Sequence, residues 1–237
     1  MSKRSPRTGA ITTTTSDTVP AYLDTGSAVG VEHLTADDVA MPRLSLAQAM
    51  SDQINKTHPD FIEGVGIGDF FNSVSGTTYG SGPISFSILC AYPPRGIEFA
   101  PMEEGGGVLD PNVPLDDPRL LFGADGTKPQ ATRFYDYVLM LHPGEPREEV
   151  ISLSLARSGV RAAKSLNGLA RMRGTAFFTG IYTVESVQKT SQQGSYQTYR
   201  FRNAGYIPES AVAKFAALHD SLKQTAPDHA STVVDAE

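Results

Sequence analysis

Apolar and polar residues alternate over several short stretches of this chain, the period-2 signature of half-buried strands. Leu44 and Leu46 in PRLSLAQAMSDQI begin the pattern, and PISFSILCAY and RGIEFA continue it across a turn at Pro93-Pro94. RFYDYVLMLH and EVISLSLA predict two more strands around the loop PGEPREE. TAFFTGIYTVESV and SYQTYRFRN predict another two, with the turn SQQG inside the linker QKTSQQG. Residues 154–174, SLARSGVRAAKSLNGLARMRG, follow EVISLSLA and change period, predicting an amphipathic helix. ESAVAKFAALHDSLKQ predicts a second helix, with Val212, Phe215, Ala216 and Leu222 on one face and Pro208 at its start.

The stretches between these elements read as loops. INKTHPDFIEGVGIGD carries glycines at 64, 66 and 68 that suit tight turns, and residues 103–132 are too polar and too rich in Gly and Pro for a core element. The expected fold is α+β: a central, mostly antiparallel sheet with two main helices, either an OB-like barrel or a non-OB sheet. A single domain is expected over residues 39–225, between a disordered Thr-, Ser- and Gly-rich tail over 1–38 and a flexible acidic tail over 226–237.

Charge changes the picture. The chain is acidic, at a formal −6, yet residues 157–202 hold eight basic side chains against Glu185 alone, a local +7 that leaves −13 for the rest. On a helical wheel Arg157, Arg161, Lys164 and Arg171 fall within about 40° of one line, with Ala162, Ala163, Leu166, Leu169 and Ala170 opposite. Gly168 lies on the basic face, and Gly159 and Asn167 predict a short or kinked helix. Like charges four apart, as in Arg157 and Arg161, cost a few tenths of a kcal/mol. Such a face needs a counter-charge, from acidic residues of the 98–149 region or from a polyanion.

The strand SYQTYRFRN sends Tyr196, Thr198, Arg200 and Arg202 to one face and Tyr199 and Phe201 to the other, which reads as core. Lys189 is expected in the polar loop before it, and Phe177, Phe178 and Tyr182 in the core. Cations that track phosphates beside an aromatic that stacks on any base, at about 1–3 kcal/mol per base, suit single-stranded nucleic acid. No element shows polar side chains arranged for base edges in a groove. The candidate binding residues are Arg157, Arg161, Lys164, Arg171, Arg173, Lys189, Tyr196, Arg200 and Arg202.

Catalytic and metal-binding signatures are missing from the sequence. The five histidines lack partners at metal-ligand spacing. Neither G-x-x-x-x-G-K-[ST] nor G-x-S-x-G occurs. Glu103-Glu104 and Asp116-Asp117 read as a solvated acidic loop, and Cys90 in ISFSILCAY as a buried thiol in a reducing compartment. The chain is therefore expected to be a soluble non-enzyme with no cofactor, no metal and no membrane span.

PRLSLAQAMSDQI, EGVGIGDFFNSVSG and RGIEFAPMEEGGG, followed by SLSLARSGVRAAKSLNGL, FFTGIYTVES and a G-x-Y strand at Gly194–Tyr196, resemble the successive parts of a tailed-phage protein family. They cover residues 42–107 and 149–206. Members of that family are described as single-stranded DNA-binding proteins, and some act as cofactors that bring a phage RNA polymerase to opened promoters. The resemblance implies a phage protein that coats or captures single-stranded DNA, and the chain is expected to act in replication or transcription, in the host cytoplasm, as a homo-oligomer. It also implies an acidic end that recruits replication proteins or polymerase, here DHASTVVDAE. Many relatives carry tryptophan where this chain has Phe99, so no stacking role passes to that position. A different class of reading is a virion or scaffold protein whose basic helix docks the acidic loop of a neighbouring subunit.

Overall fold

The computed structural model describes residues 33, 38–101, 103, 105–191 and 194–224. The tails expected over 1–38 and 226–237 therefore lie outside the described residues, apart from residues 33 and 38, as do Gln192 and Gln193 of the SQQG turn. Residues from Ala40 onward form one unit. Its strands are β1 (Leu44–Leu46), β2 (Phe70–Asn72), β3 (Thr78–Gly80), β4 (Ile84–Ala91), β5 (Arg95–Phe99), β6 (Val108–Val113), β7 (Ala131–Leu141), β8 (Glu149–Ala156), β9 (Gly180–Ser191) and β10 (Gly194–Tyr206). Its helices are α1 (Val160–Met172) and α2 (Glu209–Gln224).

The strands make two antiparallel sheets, β1-β2-β3 and a seven-stranded sheet in the order β10-β9-β4-β7-β5-β6 with β8 also on β7. Strand β7 organises the larger sheet: its start pairs with β5, its end with β4, and β8 runs along its other edge. The α+β expectation holds, and among the described residues neither sheet closes into a barrel.

Both faces of the central strands are apolar. On one, Phe86, Ile88, Tyr137, Leu139 and Leu141 pack with Ile151, Leu153 and Leu155 of β8 and with Ala163, Leu166 and Ala170 of α1. On the other, Leu89, Cys90, Val138 and Met140 pack with Phe215 of α2. A register shift between Ile88 and Cys90 lets Leu89 and Cys90 join the same core. The Tyr137 phenol donates to Asn167 Oδ1 at 2.9 Å, so Asn167 anchors α1 to β7, and the helix runs through it unbroken.

The small sheet ties the two sides of the large one together. Ser152 of β8 donates from its backbone N and its Oγ to the Pro42 carbonyl, at 2.8 and 2.9 Å. Gln48 offers its side-chain amide to the edge of β10, accepting from Gln197 N at 2.9 Å and donating to Gln197 O at 3.1 Å. Glu149 receives Asn72 Nδ2 from β2 at 2.5 Å and the Tyr79 phenol from β3 at 2.6 Å. Gly82 has φ of 96°, and a Cβ there would lie 2.6 Å from the Val184 carbonyl, so the approach to β4 demands glycine.

Several expectations need correction. The stretch 103–132 contains β6 and a short 3-10 turn over Pro118–Leu120. Arg119 orders it by pairing with Glu98, Asp110 and Asp117 at 2.6, 3.1 and 2.9 Å, a charge-based organisation that a hydrophobic pattern does not show. The helix expected from residue 154 begins at Val160, because Ser154–Ala156 complete β8 and Arg157–Gly159 form a 3-10 turn. The strand expected from Thr175 begins at Gly180, after a 3-10 turn over Phe177–Thr179 that leaves Phe177 exposed. Lys189 lies within β9, since pairing runs to Ser191 opposite Gly194. Val212 is exposed on α2, whose inward contacts come from Ala211, Phe215, Leu218 and Leu222.

Leu166 is fully buried between α1 and the sheet. Leu166→Ala is expected to cost about 2–5 kcal/mol in urea unfolding. His142, at φ 50°, is buried with no hydrogen-bond partner at Nδ1, facing Tyr79, Glu145, Arg147 and Glu149. Burial, then the Arg147 charge, holds its pKa below the ordinary 6.5. The unfolded chain thus takes up this proton first, and stability is lost as pH falls below 6.5 toward the lowered folded value. A melting-temperature profile is expected to decline over that range, and His142→Asn to flatten it.

Candidate nucleic-acid interface

Helix α1 follows directly from β8 through the turn at Arg157–Gly159. Gly159 is buried there against Leu155 and Tyr199, and Arg157 takes a left-handed φ of 48°. Arg157 therefore stands on the turn, exposed, and off the helical wheel that placed it with Arg161. The rest of the wheel matches the structure: Ala162, Ala163, Leu166 and Ala170 are buried, while Arg161, Lys164, Gly168 and Arg171 are exposed. Open space surrounds the position a Gly168 side chain would take.

The outward side of α1 meets the β9–β10 hairpin at a cleft. Arg161, Ser158 and Ser165 line it from the helix side, Lys189 from β9, and Thr198 to Phe201 from β10. Three cations from three separate elements thus share one concavity with the hydroxyls of Ser158, Ser165 and Thr198, and among the described residues no carboxylate lines it. The Tyr199 ring stacks on Phe201 at 6.2 Å and leans on Phe70 at 5.9 Å. Burial pushes its phenol up to about 12, so it remains neutral in the cleft wall. Tyr196 is half-buried and pairs across the hairpin with Lys189.

Apart from Tyr196, the eight sequence-predicted cations divide into three groups. Arg157, Arg161, Lys164, Arg171 and Lys189 are exposed, and none takes part in an ion pair among the described residues. Arg200 and Arg202 share one carboxylate oxygen, Glu185 Oε1, through their Nε atoms at 3.3 and 3.1 Å. Arg173 is committed within the fold. It donates to Asn203 Oδ1 at 3.2 Å, to the Ile181 carbonyl at 2.9 Å and to the Gly205 carbonyl, with its guanidinium 4.6 Å from the ring centroids of Tyr182 and Tyr206.

The choice of counter-charge left open by the sequence narrows here. Glu98, Asp110 and Asp117 surround Arg119, Asp136 pairs with Arg95 at 2.8 Å, Glu145 with Arg147 at 2.9 Å, and Glu148 with Lys214. Among the described residues no acid of the 98–149 region reaches α1. Sequence reasoning missed Ser158 and Ser165. Ser165 could have been found four residues after Arg161 on the same helix face, whereas Ser158 joins the site only through the turn. Phe99 packs on Phe134 at 6.2 Å in β5, a strand remote from β10 in the sheet order. Among the described residues no cluster of His, Cys, Asp or Glu could hold a metal ion, and no helix is long and apolar enough to cross a membrane.

A family model described as Pam3 phage gp34-like protein matches residues 12–227. No curated protein and no solved structure gives a significant match.

Arg173→Ala is expected to destabilise the fold by about 1–3 kcal/mol, because two backbone carbonyls and Asn203 lose a charged donor. Arg161→Ala and Lys164→Ala, at exposed positions, are expected to stay within about 0.5 kcal/mol. Urea titrations of the three variants check the contrast.

Proposed function

The chain belongs to the Pam3 phage gp34-like family and is a bacteriophage protein, and on that premise we propose that it binds single-stranded DNA with little regard to sequence. The observation that carries this reading is the convergence of Arg161, Lys189 and Arg200 on one acid-free cleft, continued along α1 by Lys164 and Arg171. Of these cations, Arg161, Lys164, Arg171 and Lys189 make no ion pair among the described residues, and such a row lowers its own repulsion by neutralising phosphates and releasing their counterions. Gly168 leaves room for a backbone beside that row, and Tyr196 supplies an aromatic surface next to Lys189. Binding of this kind needs no catalytic group.

The protein would act on opened DNA in the host cytoplasm, in replication or beside a phage RNA polymerase, as a homo-oligomer. A scaffold role, with the basic helix docked on the acidic loop of a second copy, has less support. Asp117 of that loop is already engaged by Arg119, together with Glu98 of β5 and Asp110 of β6.

Fluorescence anisotropy with a labelled oligo-dT of about 30 nucleotides, at three salt concentrations, tests the proposal. Six phosphate contacts, from Arg157, Arg161, Lys164, Arg171, Lys189 and Arg200, give an expected log–log salt slope of about −4 for a single strand. Arg161→Ala/Lys164→Ala/Lys189→Ala is expected to weaken binding at least tenfold while keeping its melting temperature. Absence of binding by the wild type at low salt would overturn the reading, and equal affinity for a duplex of the same length would remove its single-strand preference.

A further inference from the structure

Glu185 is the one acid among residues 157–202, and it pairs with two of the basic side chains there, Arg200 and Arg202. It lies on β9 directly opposite Arg200, and its side chain faces the same side of the hairpin as Arg200 and Arg202. A single oxygen, Oε1, lies 3.3 Å from Arg200 Nε and 3.1 Å from Arg202 Nε. The carboxylate keeps 30% of its side-chain surface exposed, against 49% and 62% for the two arginines. The arrangement is open to solvent, so ions can exchange there.

An anionic oxygen held between two guanidinium groups is also the geometry in which a phosphodiester oxygen is held. Arg200 belongs at the same time to the cleft with Arg161 and Lys189. A DNA strand seated in that cleft would thus bring its next phosphate toward the position that Glu185 Oε1 fills. Among the described residues, Arg157, Arg161, Lys164, Arg171 and Lys189 have no such anion.

We propose that Glu185 is an internal competitor for phosphate: the Arg200–Arg202 pair is a seat for a DNA phosphate, occupied by the Glu185 carboxylate until a strand displaces it. The inference rests on the single-stranded DNA reading and deepens it by locating one phosphate. Breaking two exposed ion pairs opposes each binding event. The competitor therefore keeps affinity below what the local charge allows, which favours release and movement along the strand.

The test is a double-mutant cycle in the oligo-dT anisotropy assay, using the full chain. Glu185→Gln keeps the side chain's size and removes its charge. It is expected to bind about three- to tenfold more tightly than wild type at low salt, because two exposed ion pairs no longer need to be broken. In an Arg200→Ala/Arg202→Ala background, the same substitution is expected to bring almost no gain, since the contested seat is gone. Asp116→Asn, an equal charge change on the distant acidic loop, measures the general field effect and is expected to change affinity less than twofold. If wild type binds and Glu185→Gln binds equally or more weakly, the competitor is overturned while single-strand binding stands; weaker binding would mark Glu185 as a support for the arginines. A gain of the same size in the Arg200→Ala/Arg202→Ala background would also overturn it, leaving only a field effect. If neither wild type nor Glu185→Gln binds, the DNA reading falls and the inference with it.

Discussion

The centre of this fold is a pair of strands that cannot face water on either side. Strands β4 and β7 carry large apolar side chains on both faces, so each face must be covered. Helix α2 closes one face through Phe215, and α1 closes the other through Ala163, Leu166 and Ala170. That requirement fixes the rotation of α1 about its own axis. Once its alanines and Leu166 are turned to the sheet, Arg161, Lys164 and Arg171 have no direction left but outward. The basic surface follows from the demands of the core.

A second constraint acts at the edge of the sheet. Strand β10 ends the large sheet, and an unpaired edge invites pairing with other chains. Gln48 from the segment after β1 places its amide against Gln197 and mimics a neighbouring strand at that point. The same strand carries Tyr199 and Phe201 into the core and Arg200 into the cleft. Pinning β10 therefore also pins the arginine. Arg173 works similarly from the end of α1, tying the helix to β9 and β10 through carbonyls that those strands leave available.

Ion pairing is uneven over the described residues. Around Arg119 and Arg95, acids and bases are matched within the chain. Among the described residues, five cations along the turn, α1 and the β9–β10 hairpin make no ion pair, and two share one carboxylate. In a protein of net charge −6, such a local group of unpaired cations would draw a polyanion to that surface ahead of the acidic ones. Orientation on a nucleic-acid strand would then come from charge distribution before any specific contact forms.

The sequence by itself determined the α+β class, the strands β4, β5, β7, β8 and β10, both helices, and the basic face of α1. All of these depend on local periodicity, and period 2 or 3.6 is written directly into the order of residues. It also marked residues 157–202 as a basic segment, because charge can be counted without a fold. Only the tertiary structure decided which of those charges are available. Arg173 and Arg161 look alike in the sequence, yet one is held by carbonyls from two strands and the other faces an open cleft. The strand β6 was hidden because its order comes from Arg119 reaching across to Glu98 and Asp110, partners that pattern reading cannot pair. The cleft itself joins residues from 158 to 201, and the role of Glu185 depends on a strand register that places it opposite Arg200. Contacts between residues far apart along the chain exist only after folding, and it is those contacts that turn a basic segment into a site.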